Sequence, residues 1–246
     1  MSKRNVVNKQ DARISQIDSF LKIFGEISTK YGRSQSWYDY IDMQAISFAN
    51  LYATECRDER EKYYLDIVVK YDEKTMDKFT TLASITMRAL LDDPEQDFLG
   101  EIYHRLGLAK GGAGQVFTPY HVGHLMASIN TAGPFALDKS TLFVVNDACC
   151  GAGCLLIAQY NVMREKLETT DPDWNDYVLF VGQDIDPLAC KMCYIQMCCL
   201  GIPGIVMVGN ALLNDEQRPS SDYWFTPKYY TLNAKAYKNY FDLEKE

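Results

Sequence analysis

The stretch Thr141-Leu-Phe-Val-Val-Asn-Asp147-Ala-Cys-Cys-Gly151-Ala-Gly153, continuing into Cys154-Leu-Leu156, decides the fold. Residues 141–146 are a short apolar run that predicts a buried strand. Asp147 to Gly153 carries two glycines and is a turn. A helix follows from Cys154 to about Leu167. The alternation then continues. Residues 177–181 (Tyr-Val-Leu-Phe-Val) predict a second strand. Asp186-Pro187 caps a second helix, which runs through Met192, Ile195 and Met197 and stops at Gly201. Residues 205–208 (Ile-Val-Met-Val) predict a third strand. A β-α-β-α-β run with short connections predicts a parallel sheet with right-handed crossovers, the core of an α/β, Rossmann-like domain.

In such a sheet, ligands bind at the carboxyl ends of the strands. Three features fall there. The turn from Asp147 to Gly153 lets a ligand approach the backbone, and the following helix N-terminus offers free N–H groups. A tight structural turn is the alternative reading of the same glycines. Asp184, just past the second strand, suits the two hydroxyls of a ribose, whereas Asp186 reads as a helix cap. Asn210, after Gly209, either meets an adenine edge or caps its own turn. Together these point to a nucleoside cofactor. They do not by themselves separate a dinucleotide from S-adenosylmethionine. Leu156 stands where a dinucleotide fingerprint has its third glycine, which leans away from NAD.

Upstream the pattern is helical. Ile14, Ile17, Leu21 and Phe24 recur at helical spacing, as do Phe79, Leu82, Ile85, Ala89 and Leu90. Trp37, Tyr38, Tyr40, Tyr52, Tyr63 and Tyr64 lie between them and are read as helix-packing aromatics. Asp93-Pro94 starts a further helix through Phe98, Ile102 and Tyr103. Gly111-Gly112-Ala113-Gly114 is a flexible joint. Thr118 then reads as an N-cap with Pro119 in the first helical position. That helix carries Val122, Leu125, Met126 and Ile129. The expected organisation is a helical region over residues 1–110 and a ligand-binding domain over 111–246.

The net charge of −8, with no dense Lys/Arg cluster, counts against autonomous nucleic-acid binding. No apolar run is long enough to span a bilayer and no secretory signal is read, so a cytoplasmic location is expected. Seven of the eight cysteines lie between Cys149 and Cys199. A zinc site built on Cys190 and Cys193 is one reading. Small buried thiols in a strand-turn-helix core are the favoured one, and no metal is expected.

Gly114-Gln-Val-Phe117-Thr118-Pro119 resembles the motif that opens the methyltransferase domain in M subunits of type I restriction–modification systems, within the N6-adenine DNA methylase family. Asp147-Ala-Cys-Cys-Gly-Ala-Gly-Cys-Leu-Leu156 is similar to their Asp-Pro-x-Cys-Gly-Ser-Gly-x-Phe-Leu turn. Gly182-Gln-Asp-Ile-Asp-Pro187 matches their Gly-x-Glu-x-x-Pro segment, and Gly209-Asn-Ala-Leu212 continues in register. The resemblance spans about residues 97–213. It implies a class I methyltransferase domain whose cofactor is S-adenosylmethionine. It also implies roles. Phe117 and Thr118 would line the methionine end. Asp147 would meet the amino group, with Cys149 and the Gly151–Gly153 backbone beside it. Asp184 would hold the ribose, Ile185 would pack on the adenine, and Asn210 would face the adenine amino group. The family usually has Asp at that last position, and Asn keeps the acceptor but loses the charge.

The family's catalytic Asn-Pro-Pro-Phe loop is not found after Asn210, so no catalytic residue is assigned. The segment Ser220 to Tyr230 (Ser-Ser-Asp-Tyr-Trp-Phe-Thr-Pro-Lys-Tyr-Tyr) holds aromatics and proline, and Asn233 and Tyr237 are candidates only by composition. The favoured expectation is a degenerate methylase that binds cofactor without independent catalysis. An adenine-specific DNA methyltransferase subunit completed by a partner chain comes second, and a methyltransferase for a non-DNA substrate third. The expected partners are DNA, reached through a partner subunit, and a second copy of the chain covering an open sheet edge.

Overall fold

The computed structural model describes residues 3–53, 55–108, 118–133, 135–213 and 219–243. Five helices come first: α1 (Lys3–Tyr31), α2 (Arg33–Ala49), α3 (Arg57–Val68), α4 (Glu73–Asp92) and α5 (Phe98–Arg105). Asp72 caps α4 by accepting from Thr75 N at 2.8 Å. Asp97 caps α5 in the same way through Gly100 N at 2.9 Å. The helix read from Asp93-Pro94 therefore begins at Phe98, after its true cap. The aromatics Phe20, Phe24, Trp37, Tyr40 and Phe98 are fully buried and interlock edge to face, with Phe20–Tyr40 at 5.6 Å and Phe24–Trp37 at 5.7 Å between centroids. Tyr38, Tyr52 and Tyr63 depart from the packing role read for them, because all three are exposed. Ile14 is likewise exposed, while Ile17 and Phe24 on the same helix are buried.

The second half contains α6 (Tyr120–Asn130), β1 (Phe143–Asp147), α7 (Cys154–Leu167), β2 (Val178–Asp184), α8 (Pro187–Leu200), β3 (Gly204–Val208), β4 (Tyr223–Phe225) and α9 (Ala234–Leu243). The strands lie in the order β1-β2-β3-β4. β1, β2 and β3 are parallel, as the alternation requires, and β4 is antiparallel to β3. This is a Rossmann-like α/β core with a helical region before it. Side chains alternate across the sheet. Val178, Phe180 and Val206 face one core with Leu156, Met163 and Met197, and Leu142, Leu179 and Ala236 form the other with Val181 and Ile205. Helices α7 and α8 thus fill one side, and α9 covers part of the other.

Helix α8 also joins the two halves. Lys191 forms an ion pair with Asp42 of α2 at 2.5 Å. Gln196 accepts from Leu99 N at 3.1 Å and donates to Asp97 Oδ1 at 2.7 Å. The aromatic core of the first five helices and the α7–α8 side of the sheet form one continuous apolar cluster.

One further expectation is corrected. Pro119 occupies the N-cap of α6, with extended backbone (φ −60°, ψ 137°), so the helix starts one residue later than read and Thr118 does not cap it. Val122, Leu125, Met126 and Ile129 of that helix point outward, with Leu125 60% and Ile129 65% exposed. The reason is close packing. Gly123 and Ala127 face α7, and a Cβ on Gly123 would lie 3.2 Å from Leu155 Cδ2. The large residues are therefore turned to the opposite face, each forgoing only part of the roughly 1.5–3 kcal/mol that full burial contributes. Residues 229–241 complete a 3-10 turn (Pro227–Thr231) and enter α9. The fourth strand comes from residues 223–225 and lies beside β3. β1 remains an edge among the described residues.

Candidate cofactor site at the strand ends

Three strand ends meet where the fold predicts a ligand. The register pairs Asp147 with Gly182 and Asp184 with Val208. After β1 the backbone turns through residues 148–153 into α7. Each step of this turn is tied down. Cys149 N donates to Asp147 Oδ1 at 3.1 Å, and Cys150 N donates to Gln183 O at 2.9 Å. Gly151 N donates to Asp184 Oδ2 at 2.9 Å. The other oxygen of Asp184 accepts from Asp186 N at 2.9 Å. Asp186 in turn caps α8 through Leu188 N at 2.9 Å, as its sequence position suggested. At the third strand, Gly209 N donates to Asp184 O at 2.8 Å and Gln183 Nε2 donates to Gly209 O at 3.2 Å.

Asp184 is therefore a clasp between the two strand ends. Each of its carboxylate oxygens accepts one backbone N–H, which leaves acceptor capacity on both. Asp147 is different. Its Oδ2 is buried and has no hydrogen-bond partner. Burial pushes its carboxyl above the ordinary carboxylate range, and the neighbouring charge of Asp184 adds to the rise, against the bond from Cys149 N. A cleft of about 230 Å³ opens beside it, lined by Gly123 and Met126 of α6, Val145 of β1 and Leu156 of α7.

The remaining residues singled out in the sequence fall as follows. Ile185 follows Asp184 and is exposed. Asn210 Oδ1 accepts from Leu212 N at 2.9 Å, so its oxygen caps the turn. Thr118 lies just before α6, and Phe117 lies outside the described residues, as does the Gly111–Gly114 joint. Cys149 is exposed, unlike Cys150, Cys154, Cys190 and Cys193, which are buried as read. Cys190 Sγ donates to Asp184 O at 3.4 Å and to Met207 O at 3.2 Å. The hydrogen bond with the adjoining Cys150, followed by burial, pushes the Cys190 thiol well up, which leaves it an inert protonated donor. Among the described residues no cluster of His, Cys, Asp and Glu has the makings of a metal site.

Gly151 and Gly153 divide the roles proposed for them. Gly151 presents its N–H to Asp184. Gly153 sits at φ +96°, and a Cβ there would meet Cys193 Sγ at 2.7 Å. It serves the approach of α7 to α8, which is the structural reading of that glycine. Asn233 and Tyr237 belong to the other side of the sheet. Asn233 caps α9 through Ala236 N at 3.1 Å, and Tyr237 shares a hydrogen bond with Tyr229 at 2.7 Å.

Gln196 was not singled out in the sequence. Besides its bonds to α5, its Nε2 donates to Ala152 O at 2.9 Å, so it braces the turn from below. The signal was present: Gln196 stands between Ile195 and Met197 as the one uncharged amide in a helix that is apolar apart from it and Lys191, and it is fully buried.

Among the described residues no helix is long and apolar enough to cross a membrane. No curated protein matches the sequence. Among solved structures, the methyltransferase subunit of the type I restriction-modification system from Streptococcus thermophilus is similar at 16% identity, with a TM-score of 0.39. The alignment covers 85% of this chain and 60% of that one. The family model described as N-6 DNA Methylase matches residues 94–238. That match takes in the strand-end turn, the Asp184 clasp and the Asn210 turn, and it spans more than half of the 246 residues. This chain belongs to the N-6 DNA methylase family.

Proposed function

We propose that the chain holds S-adenosylmethionine at the carboxyl ends of β1 and β2 and acts as a methylase-type cofactor-binding protein without independent catalysis. The observation that carries this reading is the unpartnered, buried Oδ2 of Asp147 beside the Asp184 clasp. Leaving a buried acceptor unmet costs about 1–3 kcal/mol, more for a charged group. An ammonium group in the adjacent cleft would supply the donor, so the residues fit the cofactor. When bound, that cofactor supplies an electrophilic methyl group.

The chain's own residues divide the binding. Asp147 receives the amino group, with Cys149, Gly151 and Gly153 along the adjoining backbone. Asp184 accepts from the ribose hydroxyls while keeping its two backbone bonds. Ile185 offers an exposed apolar surface to the adenine, and Asn210 offers its amide. Phe117 and Thr118 complete the methionine end. In this reading residues 1–110 are a helical support and residues 111–246 the cofactor-binding domain, in a cytoplasmic protein.

Calorimetric titration with S-adenosylmethionine and its demethylated product tests the assignment. Wild-type protein should bind at least one of them. Asp184→Ala should weaken binding by about 1–3 kcal/mol, the worth of hydrogen bonds to a charged group. Absence of heat and of thermal shift with both ligands would remove the reading.

A second reading is a methyltransferase subunit completed by a partner chain that engages DNA. The edge that β1 presents among the described residues and the outward apolar residues of α6, Leu125 and Ile129, favour it, because an unpaired strand and exposed apolar side chains both suit a partner. A second copy of the chain could occupy the same surface.

A further inference from the structure

The aromatic segment from Ser220 to Tyr230 takes no part in the strand-end site. It builds a second concave surface at the opposite edge of the sheet, along β4. Trp224 and Phe225 of that strand, Tyr229 and Tyr230 of the following turn, and Tyr52 just beyond α2 line a cleft of about 260 Å³. The volume lies just below the roughly 300–1,000 Å³ of ordinary small-molecule pockets, which suits a small ligand rather than a dinucleotide.

Its walls are flat and π-rich. Tyr52 and Tyr230 are nearly parallel, 15° apart with centroids at 5.9 Å, yet both stay exposed, at 55% and 46%. Tyr229 stands almost perpendicular to Tyr230, at 85° and 5.4 Å, and contacts Phe225 at 4.9 Å. Aromatics that serve only a core are buried, as Trp37 and Tyr40 are. These two are held in the open, at a concavity. Trp224 supplies a second observation. It is 7% exposed, and its indole N–H is buried without a hydrogen-bond partner. A buried N–H donor without an acceptor is uncommon and calls for one.

The charges limit the class of ligand. Arg60 lines the cleft, but its Nη2 donates to Ala53 O at 3.1 Å and Glu55 O at 2.7 Å, and its Nε donates to Asn50 Oδ1 at 3.0 Å. Three of its five N–H groups thus hold the loop that carries Tyr52, all on neutral acceptors, and its charge is balanced by Glu55, which lines the same cleft. Asn50 donates onward to Glu61 at 3.0 Å, Glu55 lines the cleft, and the whole chain carries −8. With one cation and one anion in its lining, the cleft offers a phosphate no net positive charge.

We propose that this cleft binds an uncharged nucleobase or nucleoside, stacked on the exposed tyrosines, with a ring carbonyl or nitrogen able to accept from Trp224. The site is separate from the strand-end cofactor reading and does not depend on it. The same base chemistry could come free or carried on single-stranded nucleic acid, and the chain's net charge of −8 favours the free form.

Equilibrium dialysis of labelled thymidine and of a thymidine homo-oligonucleotide, both with saturating S-adenosylmethionine, tests this. Thymidine should bind saturably, and Asp184→Ala should leave that binding unchanged. Tyr230→Ala and Tyr52→Ala should each weaken it about tenfold, the scale of lost base–aromatic stacking, and Tyr230→Phe should retain it. Both tyrosines are exposed, so the variants keep the fold. No saturable thymidine binding, alanine variants that bind as the wild type does, or binding of the oligonucleotide alone would each overturn the proposal. Weakened cofactor binding in Asp184→Ala with thymidine binding intact separates the two sites.

Discussion

Replacing Gly153 by alanine should destabilise the chain through two contacts that the structure makes explicit. The backbone there has φ +96°, outside the regions open to residues with a Cβ, and holding a non-glycine residue in left-handed backbone costs about 1–2 kcal/mol. The new Cβ would also lie 2.7 Å from Cys193 Sγ and 3.3 Å from Cys193 Cα. The thiol is fully buried, and the Cα belongs to α8, which is braced by Lys191 and Gln196. Neither can swing away, so overpacking adds about 1–3 kcal/mol. The combined loss is about 2–5 kcal/mol. For a domain of this size each kcal/mol lowers the Tm by about 2–4 °C. Differential scanning calorimetry of Gly153→Ala, Cys193→Ala and the double variant reads this directly. The double variant should regain about 1–2 kcal/mol of the overpacking part and none of the backbone part. A Gly153→Ala protein melting within about 2 °C of the wild type would refute the strained-backbone argument, since even 1 kcal/mol should move it that far. A double variant with strictly additive losses would refute the thiol contact.

Other outcomes follow from the same geometry. Burial raises the Asp147 carboxyl above its unfolded value, so the folded state favours its protonated form, and that preference is lost as pH rises through the raised value. Asp147→Asn should therefore be more stable than the wild type at neutral pH. The gain should shrink as pH falls through the carboxylate range, which a series of melting curves against pH would check. On α6, Leu125→Glu should abolish any self-association that covers β1. Light scattering should read a larger mass for the wild type than for the variant, and a wild-type monomer at its highest soluble concentration would exclude the second copy as occupant. Purified chain alone should transfer no labelled methyl groups to unmethylated DNA at low salt, and protein-dependent N6-methyladenine that disappears in Asp147→Ala would favour the partner-free enzyme instead.

The sequence by itself determined the alternation of strands and helices over residues 141–208, because apolar runs, turn glycines and the Asp186-Pro187 cap are local signals with fixed periods. It also put Asp147 and Asp184 at the carboxyl ends of the first two strands, since the apolar runs stop there. Tertiary structure decided the rest. Periodicity marks an apolar helical face but not what that face will touch, and it is the close packing of Gly123 and Ala127 on α7 that turns Val122, Leu125, Met126 and Ile129 outward. The short β4 has three residues and no pattern of its own, and it exists through pairing with β3. The split between Gly151, whose N–H serves Asp184, and Gly153, whose missing Cβ admits Cys193, depends on a helix forty residues further along the chain. Gln196 and the Tyr52–Tyr230 pair follow the same rule. Their partners are distant in sequence, and burial and hydrogen bonding are properties of what folding brings together.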